Sequence, residues 1–197
     1  DVLDYDGASS PKLLTLRREG KTIEAVALAT AMVQVNTVVL VQGLLDLERD
    51  ASALAFGIFG VGAVAAALLL PILHRSVRDR SIMLAGVALL VVCLAFGVLQ
   101  SRLAGLVVLW FGLGFGGALA LTPATFLIRR LARPADLQVL MAAQVSIANG
   151  CLLVAYSLVG WLDAQFALGP IFLVLSGLTA LCALAFIWLW PTTYAPE

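Results

Sequence analysis

Ten uncharged polar side chains sit where they could line a path for a solute. Thr30, Gln34, Asn36 and Thr37 fall in one apolar run, Thr122 and Thr125 in a second, and Gln144, Ser146, Asn149 and Tyr156 in a third. Gln42 and Ser157 extend the first and third sets. Thr30, Gln34 and Thr37 are spaced i, i+4, i+7 and share a helical face, as do Ser146, Asn149 and Tyr156 at offsets of 0, 3 and 10. Hydroxyls and amides hydrogen-bond a solute or water without placing charge in an apolar medium. The chemistry they offer is binding and passage. One account makes them helix–helix glue, with Asn and Gln bonding across a bundle for roughly 0.6–2 kcal/mol each. The other makes them the lining of a cavity. Glue suffices for any single residue, but the paired stripes together favour the cavity, because glue alone would not leave neighbouring runs bare.

Bond-making chemistry finds little support. Cys93, Cys151 and Cys182 each sit in an apolar run, without CxxC spacing or a nearby histidine, so neither a zinc site nor a disulfide framework is indicated. His74 is the single histidine and stands beside Arg75. It reads as an interfacial polar residue, with titration near neutral pH as the other possibility. Gly112, Gly114 and Gly117 spell GxGxxG, but a dinucleotide site needs a preceding strand and a βαβ unit, and the surrounding run is continuously apolar. No GxSG is present for an intramembrane serine protease. No catalytic residue, metal ligand or cofactor site is therefore assigned.

The elements that must position these side chains follow from composition. Of 197 residues, 62% are hydrophobic and 12% charged, with a mean hydropathy of +1.04. Soluble proteins carry roughly 45–50% apolar and ~25% charged residues. A small globule cannot hide so much apolar surface, so lipid is the solvent. The balance of 12 basic and 12 acidic residues gives no basic field for nucleic acid. A helix needs about 20 apolar residues to cross the hydrocarbon. Six such runs are present, at 23–45, 51–73, 81–99, 103–128, 137–162 and 168–190. The expected fold is an all-α integral membrane bundle of six helices. Every basic residue lies outside the runs, and of the acids only Glu24 lies inside, one residue past a start. The fourth run is long, and Thr122-Pro123 predicts a kink in it. The third and sixth runs are poorest in polar residues and read as lipid-facing outer helices. Small residues allow close helix approach, with Gly112 and Gly116 as a GxxxG pair and Gly57, Gly60 and Gly62 in the second run.

Lys12, Arg17, Arg18, Lys21, Arg75, Arg78, Arg80, Arg129, Arg130 and Arg133 fall on one side of the membrane in this layout, against Arg49 and Arg102 on the other. The positive-inside rule then places both termini in the cytoplasm of a multi-pass protein of the inner (plasma) membrane. Trp161 marks an outer end, and Trp188, Trp190 and Tyr194 mark the inner exit of the sixth run. Residues 1–22 form a cytoplasmic segment and 191–197 a cytoplasmic tail. Ser10 as N-cap, Pro11 at the first position and Gly20 as a stop predict a short amphipathic helix on the membrane surface, with a basic linker as the alternative. The first 20 residues are polar and show no signal peptide. Residue 1 is Asp rather than Met, which leads to the expectation of a fragment or a processed product.

Six spans divide into two triplets, and an odd number of crossings inverts the second relative to the first. Inverted three-helix repeats occur in secondary transporters. The residues also resemble a known family. "AMVQVNTVVLVQGLL" (31–45), "ALAFGIFGVGAVAAALLLPILHRSVRDRSIMLAG" (53–86) and "TPATFLIRRLARPADLQVLMAAQVSIANG" (122–150) resemble the seventh helix, the eighth-to-ninth region and the tenth-to-eleventh region of bacterial major facilitator superfamily transporters of the drug-exporter-like group. The family's loop signature reads roughly G-x-x-x-D-R-x-G-R-R. Arg75 matches its first arginine and Arg80 a later one, His74 stands where Asp is expected, and the glycines are not kept.

The resemblance implies the C-terminal half of a twelve-helix transporter. Its partner would be a missing N-terminal half or a second copy, and its substrate a small organic molecule moved outward by alternating access. It also implies that the loop carrying His74, Arg75, Arg78, Asp79 and Arg80 holds a cytoplasmic gate; a role in topology alone is the other reading. The first, second, fourth and fifth helices would line the cavity, although the second is nearly bare. With no acid or base deep in the spans, proton coupling would reside in the other half. A six-span scaffold without transport activity is the alternative function.

Overall fold

The structure, a computed structural model, describes residues 9–38, 40–41, 49–99, 103–131 and 136–189. Six helices follow one another: α1 (Ser9–Val38), α2 (Arg49–Leu73), α3 (Asp79–Gly97), α4 (Leu103–Leu131), α5 (Leu137–Gln165) and α6 (Leu168–Leu189). Among the described residues, the five from α2 to α6 are long and apolar enough to cross a membrane. The far end of the expected first span, with Gln42, lies outside the described residues, as do Trp190 and Tyr194. Proline does not end these helices: α2 contains Pro71, and α4 continues through Pro123 to Leu131.

The start of α1 departs from expectation. Ser9–Val38 is one helix, so Gly20 does not stop it and no separate surface helix precedes the span. Glycine inside a helix costs only about 1 kcal/mol. The turn after it is held by Lys21 Nζ and Glu24 Oε2 at 2.7 Å, and from Thr22 onward the helix is largely buried. Burial by neighbours outweighs the weak local signal.

α1 lies chiefly against α5 and α6, while α4 lies chiefly against α2 and α3. α3 also touches α6, and α1 touches α4. Exchanging the two triplets member for member turns α1–α5 into α4–α2 and α1–α6 into α4–α3, and leaves α3–α6 and α1–α4 unchanged. The fold is therefore two three-helix repeats that have traded their first helices. α1 and α4 form the centre. Their apolar residues, including Ala25, Met32, Leu109, Trp110 and Leu113, share one core with Leu90 and Leu94 of α3 and Phe172 and Leu175 of α6.

Glycines set the spacing of α4 against its two neighbours. A Cβ on Gly62 of α2 would collide with the Phe111 carbonyl oxygen, and one on Gly114 of α4 with the Phe59 carbonyl oxygen. On the α3 side, a Cβ on Gly86 would meet Gly116 O and Ala120 N at 2.7 Å. The expected GxxxG pair does pack: Gly116 faces Gly86, and Gly112 faces Cys93. Gly57 and Gly60 look into open space and play no such part.

Exposure does not follow polar content alone. α3 and α6 do expose apolar faces, through Val92, Phe96, Leu181 and Leu184. The most exposed helices, however, are α5 and α2, which flank the bundle. Polar content could not reveal this, because a helix face pressed on apolar neighbours has the same composition as one bathed in acyl chains. Ile82, Val87, Leu90 and Leu94 of α3 are buried on protein, yet would suit lipid equally well.

Candidate functional site

Two contacts pair polar side chains from three helices. Tyr156 Oη of α5 donates to Gln34 Oε1 of α1 at 2.6 Å. Thr30, one turn earlier on α1, is half-buried on the same face. At the arginine-rich end, Gln144 Nε2 of α5 approaches Thr125 Oγ1 of α4 at 3.4 Å, a long hydrogen bond. Thr125 and Thr122 line a cavity of about 280 Å³ with Leu121, Phe126 and Arg129. Its lining positions are spaced i, i+1, i+4, i+5, i+8, so one face of α4 forms it. The unsatisfied bonding capacity of the threonine hydroxyls suits a polar solute or water.

Other expected residues lie elsewhere. Asn36 and Thr37 are 0% exposed. Thr37 Oγ1 accepts from Trp110 Nε1 of α4 at 2.8 Å and itself donates to the Val33 carbonyl. Asn36 Nδ2 contacts Met32 Sδ at 3.1 Å within α1. Both are buried in the core between α1 and its neighbours; Thr37 bonds across to α4, whereas Asn36 bonds only within α1 and leaves its amide oxygen without a partner. Ser146 and Asn149 are exposed on α5. Asn149 Nδ2 donates to its own helix at Val145 O, 3.0 Å, and Ser157 Oγ does the same to Leu153 O at 2.9 Å. Helical spacing finds the stripe but cannot say which members a neighbouring helix covers. Trp110 is the residue that decides this for Thr37, and an apolar run gave no sign of it.

The loop between α2 and α3 holds together around its histidine. His74 Nδ1 and Asp79 Oδ1 are 2.7 Å apart. The imidazole also meets the ring of Phe126 on α4 edge-on, with centroids 5.6 Å apart at 84°. One side chain thus joins the end of α2, the start of α3 and the arginine-rich end of α4. Asp79 additionally lies in the first turn of α3, where a carboxylate is favoured by the helix dipole. Arg75 and Arg78 are exposed, and Arg80 is half-buried and engaged.

Glu24, the one acid inside the apolar runs, has partners on two helices. Cys182 Sγ of α6 donates toward Glu24 Oε2 at 3.6 Å. Cys182 is seven residues before Leu189, which at 1.5 Å per residue puts the contact about 10 Å inside the end of α6. Glu24 thus meets α6 about two turns before the end of that helix. It is compensated by Lys21 at 2.7 Å. At 3.6 residues per turn, Lys21 and Thr30 lie on opposite sides of α1, so this pair belongs to the α6 side and is separate from the face of α1 that carries Thr30. The register of α1 against α6 is set by tertiary contacts.

The sequence profile of the Major Facilitator Superfamily matches residues 25–197. The chain belongs to the Major Facilitator Superfamily. A search of curated proteins finds no match. Major facilitator proteins are secondary transporters rather than enzymes. The chain is accordingly a multi-pass membrane protein. The match takes in all of α2 to α6 and α1 from Ala25 onward, and so covers both repeats of the fold.

Proposed function

We propose that this major facilitator chain is the C-terminal six-helix half of an exporter of small organic molecules. It works in the plasma membrane, with both termini cytoplasmic, alongside an N-terminal half or a second copy. Transport proceeds by rocking of the two bundles about a shared cleft. The observation that carries this reading is the pairing of polar side chains from α1, α4 and α5, Gln34 with Tyr156 and Gln144 with Thr125 beside Thr122. The exposed α2 and α5 are where a second bundle would dock. The resemblance of 53–86 and 122–150 to drug-exporter-like sequences supports the outward direction, and the one-sided arginines support the orientation.

The test is transport by the intact protein in proteoliposomes against a compound panel. Exporter function requires substrate-specific flux that falls when Gln34 and Tyr156 are replaced by Leu and Phe. Flux that is indifferent to Gln34, Thr125, Gln144 and Tyr156 together overturns the assignment of these residues. Absence of flux for every compound, with a folded protein, favours the scaffold alternative.

A further inference from the structure

The cavity on α4 carries information about ligand charge. Its lining runs from Leu121 to Arg129, eight residues or about 12 Å along the helix. Leu121 and Phe126 supply apolar surface, Thr122 and Thr125 supply hydroxyls, and Arg129 closes one end with an exposed guanidinium. Among the described residues Arg129 has no ion-pair partner. Asp79 is held by His74, whose ring meets Phe126 edge-on. Gln144 already directs an N–H to Thr125, which leaves the hydroxyl proton of Thr125 available to an acceptor. The lining thus presents a cation and hydroxyl donors, and no negative charge.

We propose that this cavity binds an anion with a small apolar body, its carboxylate or phosphate on Arg129 and the threonine hydroxyls, its apolar part against Leu121 and Phe126. The inference rests on the transporter reading and names the substrate class for it. A planar guanidinium pairs with carboxylate and phosphate through two parallel hydrogen bonds. An organic cation placed there would be repelled, and a neutral solute would leave the guanidinium unpaired. A volume of about 280 Å³ falls at the lower end of small-molecule pockets, so the ligand is of the size of a substituted aromatic acid. The same chemistry is met by a soluble organic anion and by the phosphate of a lipid headgroup.

The experiment uses the intact protein purified in neutral detergent, with benzoate, benzyl alcohol and benzylamine as matched probes. Thermal unfolding and equilibrium dialysis of labelled benzoate are the two readouts. Benzoate is expected to raise Tm, and the alcohol and amine are not. Arg129→Gln is expected to weaken benzoate binding at least tenfold, Arg129→Lys less, and Thr125→Val to an intermediate degree. Equal binding of benzylamine, or benzoate binding that survives Arg129→Gln, overturns the proposal. Dialysis keeps the test valid if a variant lowers Tm by itself. A second arm adds phosphatidylglycerol. Arg129-dependent stabilisation by that lipid, with displacement of benzoate, identifies the headgroup as the anion; undisturbed benzoate binding identifies a soluble one. No response to either anion overturns the proposal. Flux of cationic or neutral compounds without benzoate binding refutes this inference and leaves the transporter reading intact.

Discussion

Tyr156 and Gln34 stand 122 positions apart in the chain, yet the phenol oxygen of one donates to the amide oxygen of the other at 2.6 Å. The bond ties α5 to α1, helices from different repeats. Gln34 is exposed there rather than sealed in the core. A pair so placed links helix association to solute access, because a solute bonding to Gln34 competes with Tyr156 for the same oxygen.

Tyr156→Phe removes the donor while keeping the ring. Interhelical hydrogen bonds in membranes are worth about 0.6 kcal/mol on average, so stability measured by unfolding in detergent should change by less than about 1 kcal/mol. Flux of the intact transporter should change much more. Equal loss of both would assign the pair to structure.

Thr37→Val leaves the Trp110 indole N–H buried without a partner. An orphaned buried donor costs about 1–3 kcal/mol. Trp110→Phe in the same background should recover most of this, since both polar groups are then gone. A double-mutant cycle on unfolding free energies measures the coupling.

Gly114→Ala and Gly62→Ala each push a methyl into a facing carbonyl oxygen, Phe59 or Phe111. Overpacking of this kind costs about 1–3 kcal/mol, and α2 and α4 must separate. Gly57→Ala and Gly60→Ala meet nothing within 4 Å, and a methyl there should be neutral or slightly stabilising through helix propensity. Tm values of the four variants in one detergent give the contrast.

Glu24→Gln deprives Lys21 of its partner. The pair is partly exposed, so its loss should cost no more than about 1 kcal/mol. The double variant Lys21→Met with Glu24→Gln should be more stable than Glu24→Gln alone. Lower stability of the double variant would mean that the two charges do not compensate each other.

His74→Ala should loosen the junction of α2, α3 and α4 without unfolding the bundle, because the residue is at its surface end. Amide exchange of the α2–α3 turn is expected to rise while that of Leu90 and Leu94 is unchanged. Asp79→Asn should have a smaller effect, since an amide oxygen still accepts.

Sequence by itself determined the membrane setting, the six helices and the family, because these depend on hydrophobic run length and residue pattern, which are local and additive; the exchange of first helices between the triplets came only from tertiary contacts. The polar stripes of α1 and α5 were also legible from spacing. Tertiary structure alone decided which stripe members stay open. Trp110 covers Thr37 and the core takes Asn36, while Gln34 meets Tyr156 in the open. It also decided that α1 slides far enough to carry Glu24 to Cys182, and that α2 and α5 are the exposed flanks. In hydrocarbon the apolar pattern of a helix is the same toward lipid and toward protein, so rotation, register and neighbour are fixed only by the fit of side chains between helices.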